Sequence, residues 1–261
     1  MILLPVLIFL SGFFMTVAIR HLDQSVSSYY DFVALVMVVG GTFTLGVVLL
    51  PWEYRKDIVT AVKFLFRPEK RQYKDAMREV LHVLQTGRVN ASMGNKFLYQ
   101  RILQDGSELV QLGFPRERLE EVLSERVFHS VKRWKKIASS VKNLAKYPPA
   151  FGLMGTVFGL VNIMKSLAGA ADAGKLGVEM SVALVATMYG LLMANFIVNP
   201  IGELISKKAE EEEEYAQVAM EAILMLKDET PLLESVELLN SLVPEEQRQG
   251  FASLTAGSDA A

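Results

Sequence analysis

The sequence predicts an all-α membrane protein with four transmembrane helices in two hairpins and a cytoplasmic helical domain between them. Of its 261 residues 51% are hydrophobic, the mean hydropathy is +0.27, and 21% are nevertheless charged. The apolar and the charged residues must therefore occupy different segments. Four stretches reach the roughly 20 apolar residues that a membrane helix needs; they are 1–19, 32–52, 147–164 and 180–202.

The first stretch could be mistaken for a signal peptide. No Lys or Arg precedes its apolar run, however, and a second apolar stretch follows after a short polar loop. We therefore expect a retained helix. Residues 1–52 form the first predicted hairpin and residues 147–205 the second.

The positive charges near the span ends predict the orientation, because such charges favour the cytoplasmic side. The connections 20–31 and 167–179 carry only Arg20 and Lys175, which predicts that they face the periplasm and that both termini are cytoplasmic. The other ends carry Arg55, Lys56, Lys63, Lys135, Lys136, Lys142, Lys146, Lys207 and Lys208.

The segment 53–146 has the composition of a soluble domain. Residues 73–84 and 119–137 place apolar side chains at helical spacing, and the prolines of 67–68 and 113–115 punctuate the segment. For residues 206–249 the sequence predicts cytoplasmic C-terminal helices. The acidic run 210–214 is expected to be a solvated helix face. The tail 250–261 is predicted to be disordered.

Composition excludes several function classes. A net charge of −2 gives no basic field for nucleic acid. Cysteine is absent, and the three histidines lack metal-ligand spacing, so we expect no metal and no cofactor. Without a nucleophile elbow or a P-loop, we do not expect an enzyme.

The spans contain no charged residue, although ion relays usually need a charged or titratable group at depth. This chain is therefore expected to need a partner helix that brings a carboxylate. A self-sufficient channel or transporter is disfavoured for the same reason.

Small residues line one face of the third and fourth spans, which predicts close helix packing. Packing within one chain explains this pattern as well as packing between subunits does. The small residues are Gly152, Gly155 and Gly159 in the third span and Ala183, Gly190 and Ala194 in the fourth.

Two hydroxyls lie on these small faces, at Thr156 and Thr187. Each can offer an oxygen to an ion, or can simply bond to a carbonyl of its own helix. Pro149 and Pro200 lie near the cytoplasmic ends of the same spans, where each frees a carbonyl and permits bending.

These motifs together closely resemble the MotA/PomA family of flagellar stator subunits. They are Val-Val-Gly-Gly-Thr at 38–42, Pro-Pro-Ala-Phe-Gly-Leu-Met-Gly-Thr at 148–156, and the run from Ser-Val-Ala-Leu at 181–184 to Asn-Pro at 199–200. The resemblance implies a homo-oligomer, five copies in the family, around two B-type (MotB/PomB-like) subunits in the bacterial inner membrane. It further implies that a membrane Asp of the B subunit carries Na⁺ or H⁺ and that the complex exerts torque on the flagellar rotor.

The resemblance also assigns roles to single residues. Thr187 matches a hydroxyl that faces the B-subunit Asp, and Pro149 and Pro200 match prolines tied to the conformational step. Thr156 stands where sodium-driven members have Thr, which favours sodium. Asp31 matches an acid of sodium-type relatives; alternatively it is a charge at a helix N-terminus.

On the rotor side the family presents an Arg followed by a Glu. Arg88 matches the Arg, but Lys96 stands where the acid is expected, so the acid is absent or displaced to Asp105 or Glu108. The main alternative is a stator of the TolQ/ExbB type that energises an envelope process, although those relatives have three spans. A non-flagellar motor of the same superfamily stays open.

Overall fold

Helices make up the regular structure throughout the residues that the computed structural model describes, which are 30–50, 52, 73–89, 94–169, 173–242, 245 and 248. The predicted all-α class is therefore confirmed for this part of the chain. The predicted span 1–19 and the tail 250–261 lie outside the described residues. The helices are α1 Phe32–Leu49, α2 Tyr73–Thr86, α3 Leu98–Gln111, α4 Arg116–Leu144, α5 Tyr147–Ala168, α6 Ala173–Leu192, α7 Asn199–Lys227 and α8 Leu232–Ser241.

Three of the described helical stretches are long and apolar enough to cross a membrane. They are α1, a stretch within Arg116–Ala168 and a stretch within Leu176–Lys227. Large apolar side chains on their outer faces are exposed, for example Phe43 at 71% and Leu153 at 61%. Exposed apolar surface of this extent suits lipid rather than water.

Helix α1 begins and ends where local chemistry requires it. The Asp31 carboxylate accepts a hydrogen bond of 2.7 Å from the Ala34 amide and so caps the first turn. At the other end Leu50 is extended, with φ −77° and ψ 122°. Pro51 follows and disfavours helical geometry at the residue before it, so the helix stops at Leu49.

The connection between α5 and α6 is shorter than expected. We predicted a loop over 167–179, but α5 continues to Ala168 and α6 already begins at Ala173. The first turns of α6 are helical although the sequence there is rich in Gly and Ala. Glu179 therefore lies inside a helix.

The chain divides into two compact units: 1–68 with 136–206, and 69–135 with 207–261. In the first unit α1 packs against α5, where a Cβ on Gly41 would lie 2.7 Å from the Phe151 ring. The second unit has an apolar core between α2, α3, α8 and the parts of α4 and α7 that belong to it. Fully buried members include Met77, Ile102, Leu103, Leu119, Leu123 and Ile223.

The structure confirms the helical patterns predicted at 73–84 and 119–137, which lie in α2 and α4. It also explains the punctuation at 113–115: Gly113 has φ +80°, and the amides of Gly113 and Phe114 bond to the carbonyls of Val110 and Leu109. This pair of bonds is the glycine-terminated end typical of α-helices. The chain then turns into α4.

One glutamate of the acidic run does not face solvent. Glu212 is only 8% exposed, and its carboxylate accepts a hydrogen bond of 2.8 Å from the Leu98 amide. That amide is an orphan donor at the start of α3, where the N-cap residue Phe97 supplies no side-chain bond. The prediction of a wholly solvated face was therefore wrong at Glu212.

Replacing Glu212 by Ala should destabilise the protein, because it leaves the Leu98 amide buried without this acceptor. We expect a loss of about 1–3 kcal/mol in unfolding free energy, measured by thermal unfolding of the detergent-purified protein. Glu211→Ala is the control, since Glu211 is exposed. Equal melting temperatures for the two variants would contradict the capping role.

Candidate functional site at the α5–α6 interface

The three glycines of α5 allow its backbone to approach α6 closely. A Cβ on Gly152 would lie 2.8 Å from the Ala186 carbonyl oxygen and 2.9 Å from the Thr187 Cα. On Gly155 it would lie 2.6 Å from the Ala186 Cβ, and on Gly159 it would meet the Cβ of Ala183. These contacts are closer than any side chain tolerates, so the helices touch at backbone level.

The close approach brings Thr156 and Thr187 together, although they lie on different helices. Their hydroxyl oxygens are in direct contact, and each lies near the Gly152 carbonyl oxygen, at 3.3 Å and 3.2 Å. Thr156 also donates towards the Ala183 carbonyl at 3.1 Å. Two hydroxyls and two carbonyls therefore form one cluster of four oxygens.

Only part of this cluster matches the simple alternative that each Thr bonds to its own helix. Thr156 does reach the carbonyl four residues earlier, that of Gly152. Thr187 instead bonds across the interface to Gly152, and Thr156 bonds across it to Ala183. Four oxygens share only two hydroxyl protons, so lone pairs remain that could face a cation.

The cluster opens on one side to an apolar groove of about 610 Å³. The described lining residues carry no charge; they are Leu153, Thr156, Leu184, Thr187, Met188, Leu191, Leu192, Asn195 and Phe196. The groove therefore offers polar oxygens within an apolar wall and lacks a carboxylate of its own.

Asn195 is a polar lining residue that the sequence analysis missed. It follows Thr187 by eight residues, so Thr187, Leu191 and Asn195 fall on one helical face. That spacing was the available signal. A single amide in an apolar stretch did not stand out without the groove.

Asn195 lies in a widened helical turn. Residues Met193–Val198 are π-helical, and the Asn199 amide bonds to the Ala194 carbonyl five residues earlier. Pro200 follows directly; it has no amide proton, and its ring crowds the carbonyl four residues before it. The widened turn relieves that crowding. Ala194, on the same turn, is 3% exposed.

Pro149 occupies a different environment from Pro200. It lies in the first turn of α5, where helix amides have no intrahelical partner and proline is tolerated. Its Cα lies 3.0 Å from where a Cβ on Gly190 would be. Gly190, which precedes Pro200 by ten residues, thus lets α6 pack against the start of α5.

The structure does not place Asp31 in the oxygen cluster. Its carboxylate caps α1 through Ala34, and its amide donates to the Tyr189 hydroxyl at 3.3 Å. Asp31 therefore caps the start of α1, and its assignment to an ion route stays a prediction. Nothing in these contacts assigns it to an ion route.

Arg88 belongs to the second compact unit. It is exposed and follows the end of α2, where its backbone bonds to the Thr86 hydroxyl. Of the two acids considered for the displaced partner, Asp105 pairs with Arg126 at 2.5 Å, whereas Glu108 is exposed. Glu108 is therefore the more available of the two.

Gly152→Ala should destabilise the α5–α6 contact, because the new methyl meets backbone atoms of α6 that cannot rotate away. We expect a loss of about 1–3 kcal/mol, seen as a lower melting temperature of the detergent-purified protein. Gly40→Ala is the matched control on α1, since a Cβ there has nothing within 4 Å. A Gly152→Ala variant as stable as Gly40→Ala would refute the backbone contact.

Comparison with known proteins supports one family. The model of the MotA/TolQ/ExbB proton channel family matches residues 94–218, which include Thr156, Thr187, Asn195 and Pro200 but not Asp31 or Arg88. Motility protein A of Treponema phagedenis is 25% identical over 238 residues, covering 89% of this chain and 91% of that protein.

Solved structures share the fold. A MotAB structure from C. jejuni has a TM-score of 0.79 at 16% identity and covers 96% of this chain and 98% of the matched chain. The flagellar MotAB stator complex from Bacillus subtilis has a TM-score of 0.78 at 21% identity, with coverages of 94% and 97%. The chain is therefore similar to the MotA/TolQ/ExbB proton channel family over residues 94–218, and the curated relatives that it resembles are named motility protein A or PomA.

Proposed function

We propose that this chain is the A-type stator subunit of an ion-driven rotary motor, which couples inward cation flow to torque on the flagellar rotor. The observation that carries the proposal is the four-oxygen cluster of Thr156, Thr187, Gly152 and Ala183 beside an apolar groove. Relatives named motility protein A and a solved flagellar MotAB stator complex support it.

The groove is suited to a partner helix that supplies the missing charge. Its described lining is apolar apart from Thr156, Thr187 and Asn195, whereas ion movement through a membrane usually needs a charged group at depth. A B-type (MotB/PomB-like) subunit with a membrane Asp fits both requirements. Its carboxylate would meet the two hydroxyls.

Several copies of this chain would surround the partner helices. The exposed apolar faces of α1, α5 and α6 can serve contacts between copies as well as contacts with lipid. Five copies are the expectation from the family. We place the complex in the bacterial inner membrane, with the termini and the segment 53–146 in the cytoplasm.

Sodium is the proposed driving ion, in preference to the proton. A sodium ion needs several oxygen ligands at once, and the Thr156 hydroxyl adds one to the carbonyls of Gly152 and Ala183. A proton needs only the partner's carboxylate.

The conformational steps of the motor are proposed to bend the helices near their ends. The π-helical turn before Pro200 and the start of α5 at Pro149 are the places where the hydrogen-bonded ladder is already interrupted. Torque would pass to the rotor through surface charges of the cytoplasmic domain, with Arg88 and the exposed Glu108 as candidates.

Deleting the gene should stop flagellar rotation in tethered cells, and restoring it should return rotation in proportion to external sodium at fixed pH. Rotation that does not depend on sodium but stops with a protonophore would support the stator function and identify the proton as the driving ion. Rotation that survives deletion, with no second stator set present, would point to a non-flagellar motor of the TolQ/ExbB type.

Thr156→Ala should raise the sodium concentration for half-maximal rotation speed, because the ion loses one oxygen. An interaction with a charged group of this kind corresponds to about tenfold or more in affinity. Thr44→Ala is the control: Thr44 is an exposed residue of α1 whose hydroxyl bonds to the Gly40 carbonyl at 2.8 Å. An unchanged sodium dependence in Thr156→Ala would remove the selectivity assignment.

A further inference from the structure

A carboxylate lies between α5 and α6 at the hairpin end of the two helices. Glu179, in the second turn of α6, accepts a hydrogen bond of 2.8 Å from the Ser166 hydroxyl in the last turn of α5. From the sequence alone, Glu179 is expected at the end of the loop 167–179. The pair is separate from the four-oxygen cluster and has no part in the groove.

The second oxygen of this carboxylate is unusual. Glu179 Oε2 is buried and has no hydrogen-bond partner among the described residues. A buried carboxylate oxygen without a donor or a counter-charge is costly, and such groups in native structures call for an explanation. Lys165, the neighbour of Ser166, does not resolve it: Lys165 is exposed, and no ion pair joins it to a described residue.

The pair lies on the same two helices as Thr156 and Thr187. Ser166 follows Thr156 by ten residues on α5, a rise of about 15 Å along that helix. Glu179 precedes Thr187 by eight residues on α6, a rise of about 12 Å. Between the two levels, Gly159 packs on Ala183, and a Cβ on Gly159 would lie 3.5 Å from the Glu179 carbonyl oxygen. One continuous helix contact thus joins the two polar levels.

We propose that Glu179 and Ser166 form an entry site that holds the driving cation before it reaches the threonine level, an inference that rests on the proposed stator function. The site would take a small monovalent cation, sodium or hydronium. Oε2 supplies the negative charge, and the Ser166 hydroxyl keeps lone pairs after donating to Oε1. The cation in turn supplies a positive charge beside Oε2, which has no hydrogen-bond partner among the described residues.

Several copies of the chain would repeat this carboxylate around the assembly. Rings of acidic side chains select cations at the mouths of channels, and charge of one sign in a confined site raises the local concentration of counter-ions. Glu179 would therefore govern how easily the cation is captured, while the later steps would set the maximum speed.

Glu179→Gln tests the proposal, because its amide oxygen keeps an acceptor for Ser166 while the negative charge is removed. Rotation speed is measured in tethered cells against the external concentration of the cation that drives the wild-type motor, sodium or the proton. We expect the half-saturating concentration to rise by about tenfold, the lower end of the range for charge-focused capture. The maximum speed and the amount of protein in the membrane should change little.

Three further variants separate charge from packing. Glu179→Asp should restore part of the wild-type half-saturating concentration, since it restores the charge. Ser166→Ala should have a smaller effect than Glu179→Gln. Its matched control is Ser181→Ala, an exposed hydroxyl of α6, which should behave as wild type.

An unchanged half-saturating concentration in Glu179→Gln, with only a lower maximum speed or less protein, would overturn the entry site and leave a packing role. So would an equal effect of Ser166→Ala and Glu179→Gln, because the hydrogen bond and not the charge would then matter. Failure of the wild-type gene to restore rotation to the deletion strain would instead overturn the stator function itself.

Discussion

The backbone contact between α5 and α6 is the constraint on which the candidate site depends. Gly152, Gly155 and Gly159 remove the side chains that would hold the helices apart. Only at that separation can the Thr187 hydroxyl reach the Gly152 carbonyl of the other helix, and the Thr156 hydroxyl reach Ala183. A single methyl in this stripe would separate oxygens that now share protons. The glycines therefore determine chemistry as well as packing.

The polar groups between these helices are few and lie at distinct levels. Ser166 and Glu179 lie near the hairpin end, and Thr156 and Thr187 lie deeper. Asn195 follows on the widened turn beside Pro200. Apolar side chains occupy most of the surface between them. Separate polar levels of this kind agree with the proposed function, in which a cation moves from one level to the next and a partner chain supplies part of the charge.

Residue pattern predicted the fold class, because period, length and small-residue stripes are local properties of a sequence; the assignment of Thr156 and Thr187 to an ion route stays a prediction. Residue pattern failed where the outcome depended on a distant partner. Glu179 follows a Gly- and Ala-rich stretch that looks like a loop, and only Ser166 on α5 shows that it is inside the helix pair. Asp31 matches an acid of sodium-type relatives, and its carboxylate caps α1 through the Ala34 amide; its assignment to an ion route stays a prediction. The π-helical turn had only one sequence signal, Pro200, and proline predicts an interruption without specifying its form.

The five glutamates of the acidic run 210–214 are not equivalent in the structure, although they are identical in the sequence. The five residues are all glutamate, but only the carboxylate at position 212 caps the start of α3. Inserting or deleting one glutamate would turn the rest of α7 by about 100°. It would carry Ala216, Ala219 and Ile223 out of the core to which they belong. The length of this run is therefore fixed by helical register, and a tract that looks like low-complexity sequence tolerates substitution far better than it tolerates a change in length.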